Sequence, residues 1–200
     1  MSQSISDANP HIDSIAVESS QGHVNEASVA RRLFLRYERD VNRLVYRLLG
    51  PDRDHDDIVQ DAFVRIIGRH HTLRDPAVEK AWVNRVTVSV VRNHLRRRKV
   101  RKIVEFWPSL PDAGQPPEGA LESRSLLRRS WKLLDRLAAN DRTALLLRRV
   151  EERPLQEVAE LCSCSVATVK RRIARAENKL QRALQDEPDL YRHLSGEGPR

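Results

Sequence analysis

Leu155 to Leu180 reads LQEVAELCSCSVATVKRRIARAENKL. Two stretches with apolar residues at threes and fours flank a short polar break, the pattern of two helices meeting at a turn. Ala159 sits midway along the first stretch, where a small side chain lets a second helix cross closely. Val158, Cys162, Cys164, Val169 and Ile173 fall at the positions that face a shared core. The second stretch starts at about Val166 and puts Val169, Ile173, Ala176 and Leu180 on one side. Lys170, Arg171, Ala174, Arg175 and Asn178 fall on the other. This is a helix-turn-helix pattern, whose second helix offers its first exposed residues to base edges in the major groove. Arg and Lys there can bond guanine, and others bind phosphate. A surface helix with a solvated basic face is the plainer alternative. The crossing alanine, the core positions and the basic face agree in register and favour the DNA-reading form. Ser163 takes a turn position where Gly is common, at the expense of some strain. Cys162 and Cys164 read as small buried hydrophobes. A zinc site needs about four ligands, and no other Cys or His lies at ligand spacing.

Upstream, further helical stripes appear. Leu33, Tyr37, Val41, Leu44, Val45, Leu48 and Leu49 form one, stopped by Gly50 and Pro51. A second helix starts around Asp54 to Asp57, acids that complement the positive end of the helix dipole. Its apolar face is Ile58, Val59, Ala62, Phe63, Ile66 and Ile67. GRHHTLRDPAV reads as a loop, with His70 and His71 at the surface. A third helix, about Glu79 to Lys99, carries Trp82, Val83, Val86, Val90, Val91 and Leu95. Its β-branched residues make a strand conceivable, but its length and its Arg-rich end favour helix. WPSLPDAGQPPEGA is linker chemistry. Helices resume near Leu121, with Leu126, Leu127, Trp131, Leu134 and Leu137 on one stripe. Ala144, Leu145, Leu147 and Val150 begin another, and Pro154 suits the first position of the next helix.

Charge follows the same division. The chain of 200 residues has a net charge of +8. Residues 1–27 carry −4, 28–102 carry +10, 103–122 carry −4, 123–187 carry +6, and 188–200 are neutral. The expected fold is therefore all-α: a disordered arm (1–27), a helical module (28–102), a flexible linker (103–122), a helix-turn-helix module (123–187) and a tail (188–200). The basic excess favours a polyanionic partner. No apolar run approaches the roughly 18 residues of a membrane span, the N-terminus lacks the pattern of a signal peptide, and two cysteines make no disulfide framework. A cytoplasmic protein is the expectation.

TVKRRIARAENKL beside LQEVAELC resembles region four of bacterial RNA polymerase sigma factors. Response regulators of the LuxR type share Thr-Val-Lys but usually follow it with His. LLDRLAANDRTALLLRRVEERP looks like the segment leading into this module, with Asn140 in place of a more usual Pro. In the first module, DHDDIVQDAFVRI is similar to region two of the same proteins, and AWVNRVTVSVVRNHLRRRKVRK to the promoter-melting helix that follows it. Two motifs in this order across a linker, covering about Val29 to Leu184, resemble the extracytoplasmic-function (group 4) sigma factors.

The resemblance implies a non-enzymatic protein that binds core RNA polymerase, recognises promoter DNA and often answers to an anti-sigma factor. It implies no cofactor, metal or catalytic residue. It assigns the upstream element to Thr168, Lys170, Arg171, Ala174 and Arg175. It assigns promoter melting to Trp82, Arg85, Ser89, Arg92, Asn93, Arg96 and Arg97, and polymerase binding to Asp57, Gln60, Asp61 and Arg65. An ordinary solvated face is an equal alternative for the last set, and core packing for Trp82. Ser89 stands where the family commonly has an Asn that helps hold a flipped base, and Arg171 where Ser is frequent. The rivals are a free-standing helix-turn-helix repressor or response regulator, an enzyme acting on nucleic acid through Asp54, Asp56 and Asp57, and a helical adaptor. The absence of a receiver-domain pattern weighs against the first. A place at a helix start makes capping the better reading of the three acids.

Overall fold

The stripe that begins at Leu33 lies on one long helix, α1 (Pro10–Leu49). Leu33, Tyr37, Val41, Leu44, Val45, Leu48 and Leu49 are all buried on it, each such side chain contributing roughly 1.5–3 kcal/mol. In the computed structural model the described residues are 10–104, 118–188 and 190–191, with side chains described for 27–99, 125–188, 190 and 191. Part of the expected arm therefore continues α1 back to Pro10, a residue tolerated in the first turn of a helix. The rest of the arm (1–9), the middle of the linker (105–117) and all but the start of the tail lie outside the described residues.

Gly50 ends α1 with φ +78°, a conformation that favours glycine, and its N–H donates to Tyr46 O at 2.7 Å. α2 (His55–Arg69) follows, with Asp56 and Asp57 in its first turn and Ile58, Ala62, Phe63 and Ile66 buried. The GRHHTLRDPAV segment holds two short 3-10 turns, His70–Thr72 and Pro76–Val78. The Asp75 carboxylate caps the second, accepting from Ala77 N at 2.8 Å. α3 (Glu79–Val104) is helical in spite of its valines. Val83, Val88, Val90, Val91 and Leu95 bury on it against α1 and α2, and packing overrides the weak helix propensity of β-branched residues.

α4 (Glu118–Asp135), α5 (Ala139–Arg149), α6 (Leu155–Leu161) and α7 (Val166–Gln185) form the second group. Pro154 is the residue just before α6 rather than its first. Leu133 on α4 and Leu137 just beyond its end are buried, whereas Leu127, expected in the stripe, is exposed. Ser165 caps α7, its Oγ accepting from Thr168 N at 3.2 Å. Ser163 has φ +51°, so the strained turn position is real. The two groups share one continuous apolar core, in which α5 and α6 lie against α3 and α5 also meets the end of α1. Among the described residues there is no strand.

Candidate nucleic-acid interface

The helix-turn-helix is built as its spacing predicts. Val158, Ala159, Cys162, Val169, Ile173 and Ala176 are buried, with Cys164 and Leu180 packed at the edge. Burial pushes the Cys162 thiol up to about 11, so it stays protonated and apolar. Opposite this core, Lys170, Arg171, Ala174 and Arg175 are exposed and Thr168 is half-buried. Arg171 Nη2 donates to Thr168 Oγ1 at 3.3 Å. Arg175 is held more firmly, donating to both oxygens of Asp141 on α5 at 2.9 and 3.2 Å. Helical spacing assigns Arg175 to the upstream element but cannot show this anchor, because Asp141 lies on another helix.

The residues expected to act in promoter melting lie mostly along one side of α3. Trp82, Arg85, Ser89, Arg92 and Arg96 recur at threes and fours, a single stripe, with Asn93 beside it. Arg85, Arg96 and Arg97 are exposed; Trp82, Ser89, Arg92 and Asn93 are half-buried. Trp82 meets His70 edge-on, with ring centroids 6.5 Å apart. Arg92 donates to Cys162 O at 2.8 Å and Arg96 to Asn140 Oδ1 at 3.0 Å, so both reach into the second helical group. Burial lowers the Arg92 pKa, and the neighbouring Arg96 and Arg172 cations act in the same direction.

The third set sits on the outer side of α2. Asp57, Gln60 and Asp61 are exposed and Arg65 is half-buried. The sequence reading missed Val64, which stands among them 62% exposed. A single exposed apolar side chain is common on protein surfaces and does not by itself mark a contact.

A buried polar cluster fixes α3 against α1. Glu79 accepts from Tyr37 Oη at 2.9 Å, Arg32 Nη2 at 3.0 Å and Arg36 Nη1 at 3.1 Å. The Arg32 bond first, then those of Tyr37 and His70, hold its carboxyl down at about 2 against the opposing effect of burial. His70, expected at the surface, is half-buried and joins the cluster, its Nε2 3.4 Å from Glu79 Oε2. Elsewhere Asp52, Asp54 and His94 each bring a possible ligand atom within 4.8 Å of the others. Asp52 is already neutralised there by Arg98 and accepts from Asp54 N at 3.0 Å, a donor set that suits an ion pair better than a metal.

Residues 33–101 match the family description sigma-70 region 2, and residues 127–184 match sigma-70, region 4. The chain belongs to the sigma-70 family. It is a sigma factor of the extracytoplasmic-function branch and directs promoter-specific transcription. Sigma factors are not an enzyme family. This sigma factor is 27% identical to the RNA polymerase sigma-H factor of Pseudomonas aeruginosa over 164 residues, 76% of this chain and 84% of the relative. It is 29% identical to the ECF sigma-E factor of Haemophilus influenzae over 163 residues, 74% of this chain and 86% of the relative. The fold is similar to that of the sigma factor RpoE solved with the anti-sigma factor NepR from Bartonella quintana, with TM-score 0.54 and 21% identity over 78% of this chain and 96% of that one. It is also similar to CnrH solved with the cytosolic domain of CnrY, with TM-score 0.52 and 21% identity over 85% of this chain and 96% of that one. No helix among the described residues is long and apolar enough to cross a membrane.

Proposed function

We propose that this sigma factor, acting in the cytoplasm, docks on core RNA polymerase through the outer face of α2, reads the upstream promoter element with α7, and opens the duplex along α3. The observation that carries this is the order of the two matched regions, each coinciding with one helical group. Residues 28–102 and 123–187 act as the two working modules, and 103–122 joins them.

Each role has a physical basis. The start of α7 presents Lys170, Arg171 and Ala174 outward, as base reading in the major groove requires. Arg175 spends Nε and Nη2 on Asp141 and meets DNA through its remaining donors. The cations of α3 suit the phosphates of a single strand, and holding that strand offsets the loss of base stacking. Trp82 packs at the base of this stripe, and Ser89 offers a short hydroxyl where a flipped base would be held. On α2, Asp57, Gln60, Asp61 and Arg65 form an outward face with exposed Val64, within the matched region 2. An anti-sigma protein is a proposed partner, since both solved neighbours carry such a protein or a cytosolic domain bound to them.

Charge reversal tests the polymerase contact. Asp61→Arg is expected to abolish association with core polymerase in a fluorescence-anisotropy titration while circular dichroism stays unchanged. Association at full strength would refute the assignment of α2.

A further inference from the structure

The turn between α6 and α7 holds both cysteines of the chain, Cys162 and Cys164. Were α6 to continue, residues two apart would fall on opposite sides of it. Here both face the same core: Cys162 is 2% exposed within it, and Cys164 packs half-buried against it. The residue between them allows this. Ser163 takes a left-handed conformation, φ +51°, and stands exposed while the chain bends around it. The turn is pinned by Cys162 N donating to Val158 O at 2.9 Å, Ser163 N to Glu160 O at 3.1 Å and Cys164 N to Ala159 O at 2.9 Å. Two peptide units let Cα atoms stand at most about 7 Å apart, and the bend shortens that into the roughly 4.4–6.8 Å that a disulfide spans.

The two sulfurs differ in their surroundings. Cys164 Sγ is met by Arg172, whose Nη1 donates to it at 3.3 Å. A half-exposed sulfur beside a guanidinium is where thiol oxidation concentrates. Cys162 lies deeper, and burial keeps its thiol protonated, so it is the poorer first attacker. It is placed to attack second, because the sulfur it must reach packs on the same core.

We propose that Cys162 and Cys164 are a peroxide-responsive pair that closes to a disulfide within the turn and so disarms α7 as a reader of DNA. In the first step the Cys164 sulfur attacks one oxygen of hydrogen peroxide. The O–O bond breaks, the thiol proton leaves with the departing hydroxide as water, and Cys164 is left as a sulfenic acid. In the second step the Cys162 sulfur attacks the Cys164 sulfur. The S–S bond forms, the S–O bond breaks, and the Cys162 proton leaves with hydroxide as a second water. The two thiols give up two electrons, and the peroxide takes them.

The consequence reaches α7 through its cap. Closing the disulfide takes Cys164 off Arg172 and draws Cys162 from its place in the core. Ser165, the next residue, caps α7 by accepting from Thr168 N at 3.2 Å, and Thr168 opens the reading face that Lys170 and Arg171 continue. The loss of DNA reading rests on α7 being the upstream-element reader; the disulfide does not.

The test uses the full-length chain as wild type, Cys164→Ser and Cys162→Ala. Each is reduced, treated with hydrogen peroxide, and freed of it by catalase. Mass spectrometry of the peptide spanning both positions reads the chemistry, and reconstituted transcription with untreated core polymerase reads the consequence. The wild-type peptide is expected to become lighter by two hydrogens, a change that dithiothreitol reverses. Promoter starts are expected to fall about tenfold, the size of one lost base contact, and to return with the thiols. Cys164→Ser should form no disulfide and show no fall on treatment, and Cys162→Ala should gain oxygen at Cys164 instead. If Cys162→Ala loses helical content by circular dichroism, Cys164→Ser alone decides. A wild-type peptide that gains oxygen without losing hydrogen, or that links two chains, would overturn the pair. A disulfide with undiminished starts would leave the pair standing and overturn the disarming of α7. No starts from the reduced protein would overturn the initiation role and the disarming with it, while the peptide mass would still decide the disulfide.

Discussion

At the scale of single residues, what a side chain does depends on whether its partners are near in sequence. Arg171 stands exposed in the first turns of α7, touching only Thr168 among described partners, and its place was legible from helical spacing. Arg171→Ala is expected to flatten discrimination between promoter duplexes differing at one base pair, by about 1–3 kcal/mol. Competition binding would check this, and equal weakening on every sequence would show a phosphate contact instead. Glu79 and Arg142 were not legible. A charged residue reads as surface by default, and the partners that bury these two come from elsewhere: Arg32, Arg36 and Tyr37 on α1 for Glu79, and the end of α1 for Arg142. Glu79 gives a pH prediction. Its carboxyl is held at about 2 in the fold, below its unfolded value. Its contribution is therefore complete above the ordinary carboxylate range and is lost as the pH falls from that range toward 2. Urea midpoints of wild type and Glu79→Gln should differ clearly at neutral pH and converge toward pH 2. A constant gap would contradict the pairing.

At the scale of elements, periodicity carried most of the reading. The α1 stripe is buried where the spacing puts it, as is the α7 stripe up to Leu180, which packs at the edge. The valines of α3 left strand and helix both open until length and the arginine run decided between them. Tertiary burial against α1 and α2 is the physical reason helix prevails. Periodicity fails at helix margins: Leu127 fits the α4 stripe but is 49% exposed, and Leu133 is buried off it. The turn between α6 and α7 was legible through chemistry, because Ser163 occupies a left-handed position, φ +51°, that favours glycine. Ser163→Gly should relieve the strain. It is expected to leave stability unchanged or raise it by up to about 1 kcal/mol, the gain limited by the added freedom of the unfolded chain. Thermal melts would check this, and a clear loss of stability would mean that the Ser163 side chain makes a stabilising contact.

At the scale of the whole molecule, two helical groups in the expected order were legible from the charge blocks and the proline-rich stretch between them. How the groups face each other was not. That arrangement depends on Arg142 reaching α1, Trp131 covering Gly50 and Arg92 reaching α6. Such contacts join residues far apart in sequence and leave no periodic trace.

The central claim is that this chain converts core polymerase into a promoter-specific enzyme. The most direct measurement is reconstituted transcription, adding the protein to sigma-free core polymerase with fragments of genomic DNA and mapping transcript starts. The account predicts discrete starts at a small set of promoters, lost with Asp61→Arg. Tight binding to duplex DNA with no initiation above that of core polymerase alone would contradict it.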